Sequence, residues 1–266
     1  MPRFTRMTSK LPRLLLPTIM AFQVQAYDLE IHGSNTVGAT LAPMLVTGYL
    51  EEHGGGQVAS RGTGVENEKI LRAPVNNRAT EVLVAAHGSS TGFKALAAGK
   101  ANIWASSRPV KPQEAEQFRA RADLNAPESE HVIAIDGLAI LVHPSNPVSK
   151  MSIETLGRVF SGQIRNWSEL GGPNRPIQLY ARDDRSGTWD TFKSLVLGTE
   201  FDLDTTARRY ESNDQLSDDV SRDPYGLGFH GLASVRASQL LGLSAGHAPG
   251  SVRYTHPNRR RQPTGQ

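Results

Sequence analysis

Residues 176–198 read PIQLYARDDRSGTWDTFKSLVLG. The apolar run from Pro176 to Ala181 has the length and composition of a buried strand. A charged run, Arg182-Asp183-Asp184-Arg185, leads into Ser186-Gly187-Thr188. Beyond it Trp189, Phe192, Leu195 and Val196 are spaced to share one face of a helix that closes at Gly198. Strand, polar turn and helix make one unit of an α/β fold, and the unit recurs upstream. The strand LEIHG (residues 29–33) runs into Gly33-Ser34-Asn35-Thr36, and a helix follows over 40–52 with Leu41, Met44, Leu45 and Tyr49 inward. The strand EVLVAA (81–86) runs into Gly88-Ser89-Ser90-Thr91, and a short helix follows over 93–99.

Further strands are predicted in ANIWASS (101–107) and YGLGFHGL (225–232). HVIAIDGLAILVHP (131–144) reads as a strand pair or a bent strand. A helix over 152–162 opens on the N-cap Ser152 and closes on Gly162. Residues 54–79 are Gly-rich and polar, a loop or irregular hairpin. The alternation predicts an α/β protein with largely parallel sheets.

The chain has 266 residues, enough for one large domain or two small ones. It begins with Arg3, Arg6, Lys10 and Arg13 and no acid, then LLLPTIMAF (14–22), then Val24-Gln25-Ala26. That order is a secretory signal, with cleavage predicted after Ala26, and the apolar run is too short to anchor in a bilayer. Removing 1–26 takes four basic residues and no acid, so the formal charge goes from +3 to −1. The last 18 residues hold Arg253, Arg259, Arg260 and Arg261 without an acid. The basic character is therefore confined to the two ends, and the folded body is not expected to bind nucleic acid. The absence of cysteine excludes disulfides, thiolate metal sites and a lipidated cysteine.

The three turns offer hydroxyls and small residues at predicted helix N-termini, where backbone N–H groups lack intrahelical partners. Each turn taken singly is an ordinary cap. Together, at the carboxyl ends of strands, they would make a cage of donors for an anion. Arg182 adds a guanidinium suited to an oxyanion, and Asp184 is positioned to hold it.

GSNTVGATLAP, AHGSSTGFKALAAGKANIWASSRPV, VFSGQIRNWSEL and RDDRSGTWDTFKSLVL together resemble the substrate-binding proteins of bacterial phosphate-specific ABC transporters, over roughly residues 28–240. The third block is similar to a branch whose modules are sometimes fused to OmpA-like domains. The resemblance implies a two-lobed periplasmic binding-protein fold with the ligand cleft between the lobes. It implies a first lobe of 27–133 plus 238–250, a second of 134–237, and a basic, disordered tail over 251–266. The C-terminal part looks truncated against that family. The implied phosphate ligands are Ser34, Thr36 and the backbone of Val37, Ser89 and Ser90, and Arg182, Ser186, Gly187 and Thr188. Asp184 supports the arginine.

The implied protein is an exported, monomeric, non-catalytic phosphate receptor. It has no cofactor or metal, resides in the periplasm without membrane insertion, and delivers its ligand to an ABC permease. Where the family carries a carboxylate that accepts the proton of phosphate, this chain has Ser107 followed by Arg108. A hydroxyl donates or accepts, and a second cation suits any oxyanion, so sulfate is the alternative ligand. Two further alternatives are a cell-envelope interaction protein and a phosphate-ester hydrolase using Ser186. The hydrolase lacks a G-x-S-x-G elbow and any paired histidine motif. His32, His87 and His230 are read as polar residues at strand ends.

Overall fold

A computed structural model of the chain describes residues 27–54, 56–236 and 238–244. The predicted signal peptide, residues 245–250 and the basic tail lie outside these residues. The order is β1 (Leu29–Gly33), α1 (Asn35–Gly38), α2 (Leu41–Gly54), β2 (Ala59–Gly62), β3 (Glu68–Val75), β4 (Arg78–Ala85), α3 (Ser89–Ala97), β5 (Ile103–Ala105) and α4 (Pro112–Phe118). There follow β6 (Leu138–Val142), β7 (Lys150–Ser152), α5 (Ile153–Phe160), β8 (Gln178–Arg182), α6 (Gly187–Phe192), β9 (Arg208–Tyr210), α7 (Asn213–Arg222) and β10 (Gly226–Gly231). The two last strands are β11 (Gln239–Leu240) and β12 (Gly242–Ser244).

One five-stranded sheet has the order β2-β3-β4-β1-β5, the other β11-β6-β10-β8-β9, and β12 pairs with β7. Five of the nine described pairings are parallel. Each sheet has its own core, so the molecule is a mixed α/β protein of two lobes. Val46 and Leu50 of α2 pack on Ile31, Leu71 and Val82 in the first. In the second, the rings of Phe192 and Phe229 stack 3.7 Å apart and both lie beside Phe160 and Trp189. Such aromatic pairs add about 0.5–1.5 kcal/mol each beyond their buried area.

Several elements differ from expectation for identifiable reasons. α2 buries Ala42, Pro43, Val46 and Leu50 and exposes Met44, Leu45 and Tyr49. Both series have helical spacing, and the one with the smaller side chains faces β3. The helix after Ser186 passes into a π-helical segment at Lys193–Leu197, which advances the buried face so that Val196 and Leu197 point inward and Leu195 outward. Residues 59–85 form strands, with Asn76 and Asn77 both at positive φ between β3 and β4, the geometry of a tight hairpin turn. Only the second half of HVIAIDGLAILVHP is a strand; Val132, Ile133 and Ile135 lie in irregular chain and are exposed. Residues 239–244, expected in the first lobe, pair with β6 and β7 and bury Leu241 in the second lobe's core.

Candidate functional site

β1 and β4 run parallel, so the turns that follow them emerge from the same end of the first sheet. The turn after β8 meets them there. Gly33 (φ 150°) allows β1 to lie against β5; a Cβ at this position would sit 1.8 Å from the Ala105 carbonyl oxygen. The next residue, Ser34, donates its backbone N–H to that carbonyl at 2.8 Å. Its side chain is thereby directed at Ser107, with Oγ donating to Oγ at 2.9 Å. Ser107 in turn lies 3.4 Å from Ser89 Oγ and donates its backbone N–H to it at 3.2 Å. Gly187 of the second lobe closes over this trio. A Cβ there would meet Ser89 Oγ at 2.4 Å and Ser107 Oγ at 2.5 Å.

A second crossing between the lobes lies beside the first. Thr36 Oγ1 is 3.2 Å from Thr188 Oγ1. Asn213 Nδ2 donates to Thr36 Oγ1 at 3.1 Å, and the Asn213 backbone N–H donates to Asn35 Oδ1 at 3.1 Å. Behind Asn213 stands Arg182, only 1 % exposed. Its guanidinium donates to the carbonyls of Tyr210 and Glu211 and to Asn213 Oδ1. All three acceptors are neutral, and among the described residues Arg182 makes no ion pair. Burial therefore pushes its pKa down to about 10, with Asp183 and Glu211 opposing from a distance.

Of the residues singled out in the sequence, Ser34, Thr36, Ser89, Ser107, Gly187 and Thr188 converge between the lobes. Arg182 is one hydrogen-bonded neighbour away through Asn213. Ser186 caps α6, accepting from the Trp189 N–H at 3.3 Å. The Val37 side chain packs against the first lobe's core.

Three assignments require correction. Asp184 does not hold Arg182: it is exposed and pairs with Arg209 at 2.6 Å, because it lies on the turn beyond the strand end. Arg108 is engaged by the protein itself rather than left open toward the serines. Its five N–H groups go to Asp190 (2.7 Å), both Glu114 oxygens (2.6 and 2.8 Å), the Pro109 carbonyl (2.9 Å) and Ser90 Oγ (3.3 Å). Ser90 consequently faces Arg108 and stands apart from the serine trio.

Sequence reasoning missed the residues that join the lobes. Asp190 on α6 binds Arg108 and Lys111 of the first lobe. Glu211 binds His87 at 2.7 Å, Asn67 at 2.9 Å and Arg185 at 2.6 Å. Asn213 was hidden because α7 is polar, although Ser212 capping Gln215 marks its start.

No described histidine bonds to a site hydroxyl. His230 is buried, its Nδ1 on the Gly231 carbonyl at 2.6 Å and its Nε2 without a partner; burial lowers its pKa. Among the described residues no group of acids and histidines could hold a metal, and no helix is long and apolar enough to cross a membrane.

Two α/β lobes thus meet on a cluster of hydroxyls, with a buried cation behind it, the arrangement of a two-lobed binding protein. The chain belongs to the PBP superfamily, whose domain matches residues 51–261. It is 30% identical over 199 residues to a protein named phosphate-binding protein PstS from Borreliella burgdorferi, covering 73% of this chain and 67% of that one. It is 29% identical over 199 residues to the protein of the same name from Bacillus subtilis, covering 73% and 63%. Against a third relative, SphX of Synechococcus elongatus, it spans 47% of that protein's length. Among solved structures it is similar to an ABC-type phosphate transport receptor from Vibrio cholerae (26% identity, TM-score 0.56, 81% and 76% of the two chains). The fold is also that of a Clostridium perfringens protein crystallised with phosphate (22% identity, TM-score 0.62, 81% and 75%).

Proposed function

We propose that this chain is a receptor for inorganic phosphate that closes its two lobes on the anion and hands it to an ABC permease. The observation that carries the reading is Arg182, a fully buried guanidinium bonded only to neutral acceptors and lying behind the hydroxyls of Thr36 and Thr188. An uncompensated cation in a low-dielectric site is costly to keep, and an oxyanion offsets that cost. The names of the relatives support the choice of phosphate. The ligand contacts in this reading come from Ser34, Thr36, Val37, Ser89, Ser107, Arg182, Ser186, Gly187 and Thr188. The lobes divide near residue 134. Residues 1–26 direct export to the periplasm, where the receptor works as a monomer and carries out no catalysis.

One observation favours a second reading, sulfate. The trio of Ser34, Ser89 and Ser107 contains no carboxylate, so nothing there is an acceptor only and nothing demands a proton on the ligand. Thermal-shift titration with phosphate and then with sulfate separates the two. A shift with phosphate that equal sulfate does not reproduce supports the phosphate receptor. A larger shift with sulfate would replace it with the sulfate reading, and a shift with neither anion would remove both.

A further inference from the structure

We infer that Asn213 is the positioning residue of this site: a neutral carboxamide that aims the Arg182 guanidinium without neutralising it, and fixes Thr36 of the opposite lobe as a hydrogen-bond donor. The inference rests on the anion-receptor reading and adds to it the group that keeps the cation usable.

The direction of each bond follows from elementary inventory. A guanidinium has only donors, so the atom of Asn213 facing Arg182 must be the carbonyl oxygen. The amide nitrogen is then the atom turned to Thr36, and it has only protons to give. Thr36 Oγ1 must accept, which leaves its own proton directed away from Asn213. The atom in that direction is Thr188 Oγ1, 3.2 Å off, at the junction of the lobes. One side chain thus sets a cation on one side and an O–H donor on the other.

Asn213 is itself held on several sides. It is 1 % exposed, and its backbone N–H is bound by Asn35 Oδ1 at 3.1 Å. Asn35 in turn donates to Asn67 Oδ1 at 3.2 Å and to the Ala86 carbonyl at 3.4 Å, so its own orientation is fixed. This run of amides couples the second lobe's arginine to the first lobe's core. Carboxylates are not scarce nearby: Asp183, Asp184, Glu211 and Asp214 all lie within a few residues of Arg182 or Asn213, yet none of their side chains bonds to the guanidinium. An aspartate at 213 would do two things at once. It would pair with Arg182 and cancel its charge, and it would accept from Thr36, turning that hydroxyl's proton away from the ligand.

The test is Asn213→Asp, compared with Asn213→Leu, which keeps the branched shape and removes both side-chain hydrogen bonds. Two quantities are measured on each: the thermal midpoint without ligand, and phosphate affinity by calorimetry. The expected result for Asn213→Asp is a higher midpoint together with phosphate affinity lowered roughly 100-fold or more, because the buried cation is paired internally. Asn213→Leu is expected to lower both. A residue of merely structural value would not move stability and affinity in opposite directions. The inference is overturned if Asn213→Asp binds phosphate as the parent does, or if its affinity and midpoint fall together. If the parent chain itself gives no phosphate heat while folded, the receptor reading fails first and takes this inference with it.

Discussion

Gly187 shows how much a single side chain can decide at this site. Its Cα faces Ser89 and Ser107 so closely that a methyl group would lie 2.4 and 2.5 Å from their hydroxyls, across the line where the lobes meet. Replacing a helical glycine by alanine ordinarily favours the helix by about 0.5–1 kcal/mol. At this position the clash outweighs that gain: Gly187→Ala should lower the ligand-free midpoint, because Ser89 and Ser107 must give way, and weaken anion binding about tenfold or more by holding the lobes apart. Calorimetry and thermal melting on the same variant check both halves, and an unchanged affinity would mean that the lobes do not close on this contact. The residue types of the site were legible because hydroxyls, glycines and an arginine in strand-to-helix turns have few other joint uses. Their partners were not. Asp184 stands two residues from Arg182, which makes it the natural local choice, but the strand ends at Arg182 and the chain turns Asp184 outward to Arg209. The acceptors that hold Arg182 come from residues 210, 211 and 213, more than 25 positions away. Arg108 misled for the same reason: Glu114 is local, but Asp190 is 82 residues distant.

At the scale of elements, the junction between the lobes is a set of ion pairs carried on loops and helix starts. His87 follows β4, and its two ring nitrogens face Glu211 at 2.7 Å and Glu68 at 3.1 Å. Both acceptors are satisfied only by the doubly protonated imidazolium. Burial disfavours that cation, but the hydrogen bonds and attraction of Glu211 and Glu68 outweigh it and raise the pKa above the ordinary 6.5. Glu211 moves the other way. Burial would raise it, yet His87, Asn67 and Arg185 bring it below the ordinary 4.5. A raised histidine contributes stability that is full below pH 6.5 and is lost as pH climbs through the raised value. The depressed Glu211 contributes stability present above 4.5 and lost as pH falls through its lowered value. The thermal midpoint of the parent should accordingly decline as pH rises from 6.5, and His87→Gln should flatten that decline. Parallel curves for the two proteins would show that His87 carries no such linkage. Element types were largely readable, since strong strand and cap signals stood at β1, β4, α5 and β8. Helix faces were less so: α2 offers two apolar stripes, and the π-helical segment after α6 moves the buried face without any mark in the periodicity.

For the whole molecule, the sequence pattern led to an α/β fold and the family resemblance to two lobes, and the structure is a mixed α/β protein of two lobes. What no local pattern could specify is which sheet each distant strand joins. Residues 239–244 return to the second lobe because Leu241 finds its place in that core, and nothing in their composition distinguishes this from a return to the first. The same long-range pairing brings three turns, separated by about 150 residues between Ser34 and Gly187, onto one another. In the proposed receptor this junction encloses an oxyanion held by Arg182. Calorimetric titration of inorganic phosphate into the folded parent chain and into Arg182→Met tests it most directly. The expected result is one phosphate bound per parent chain, and an affinity lower by about 2–5 kcal/mol, roughly 30-fold to several thousand-fold, in the variant. No heat from the folded parent at millimolar phosphate, or equal affinity in the two proteins, would contradict it.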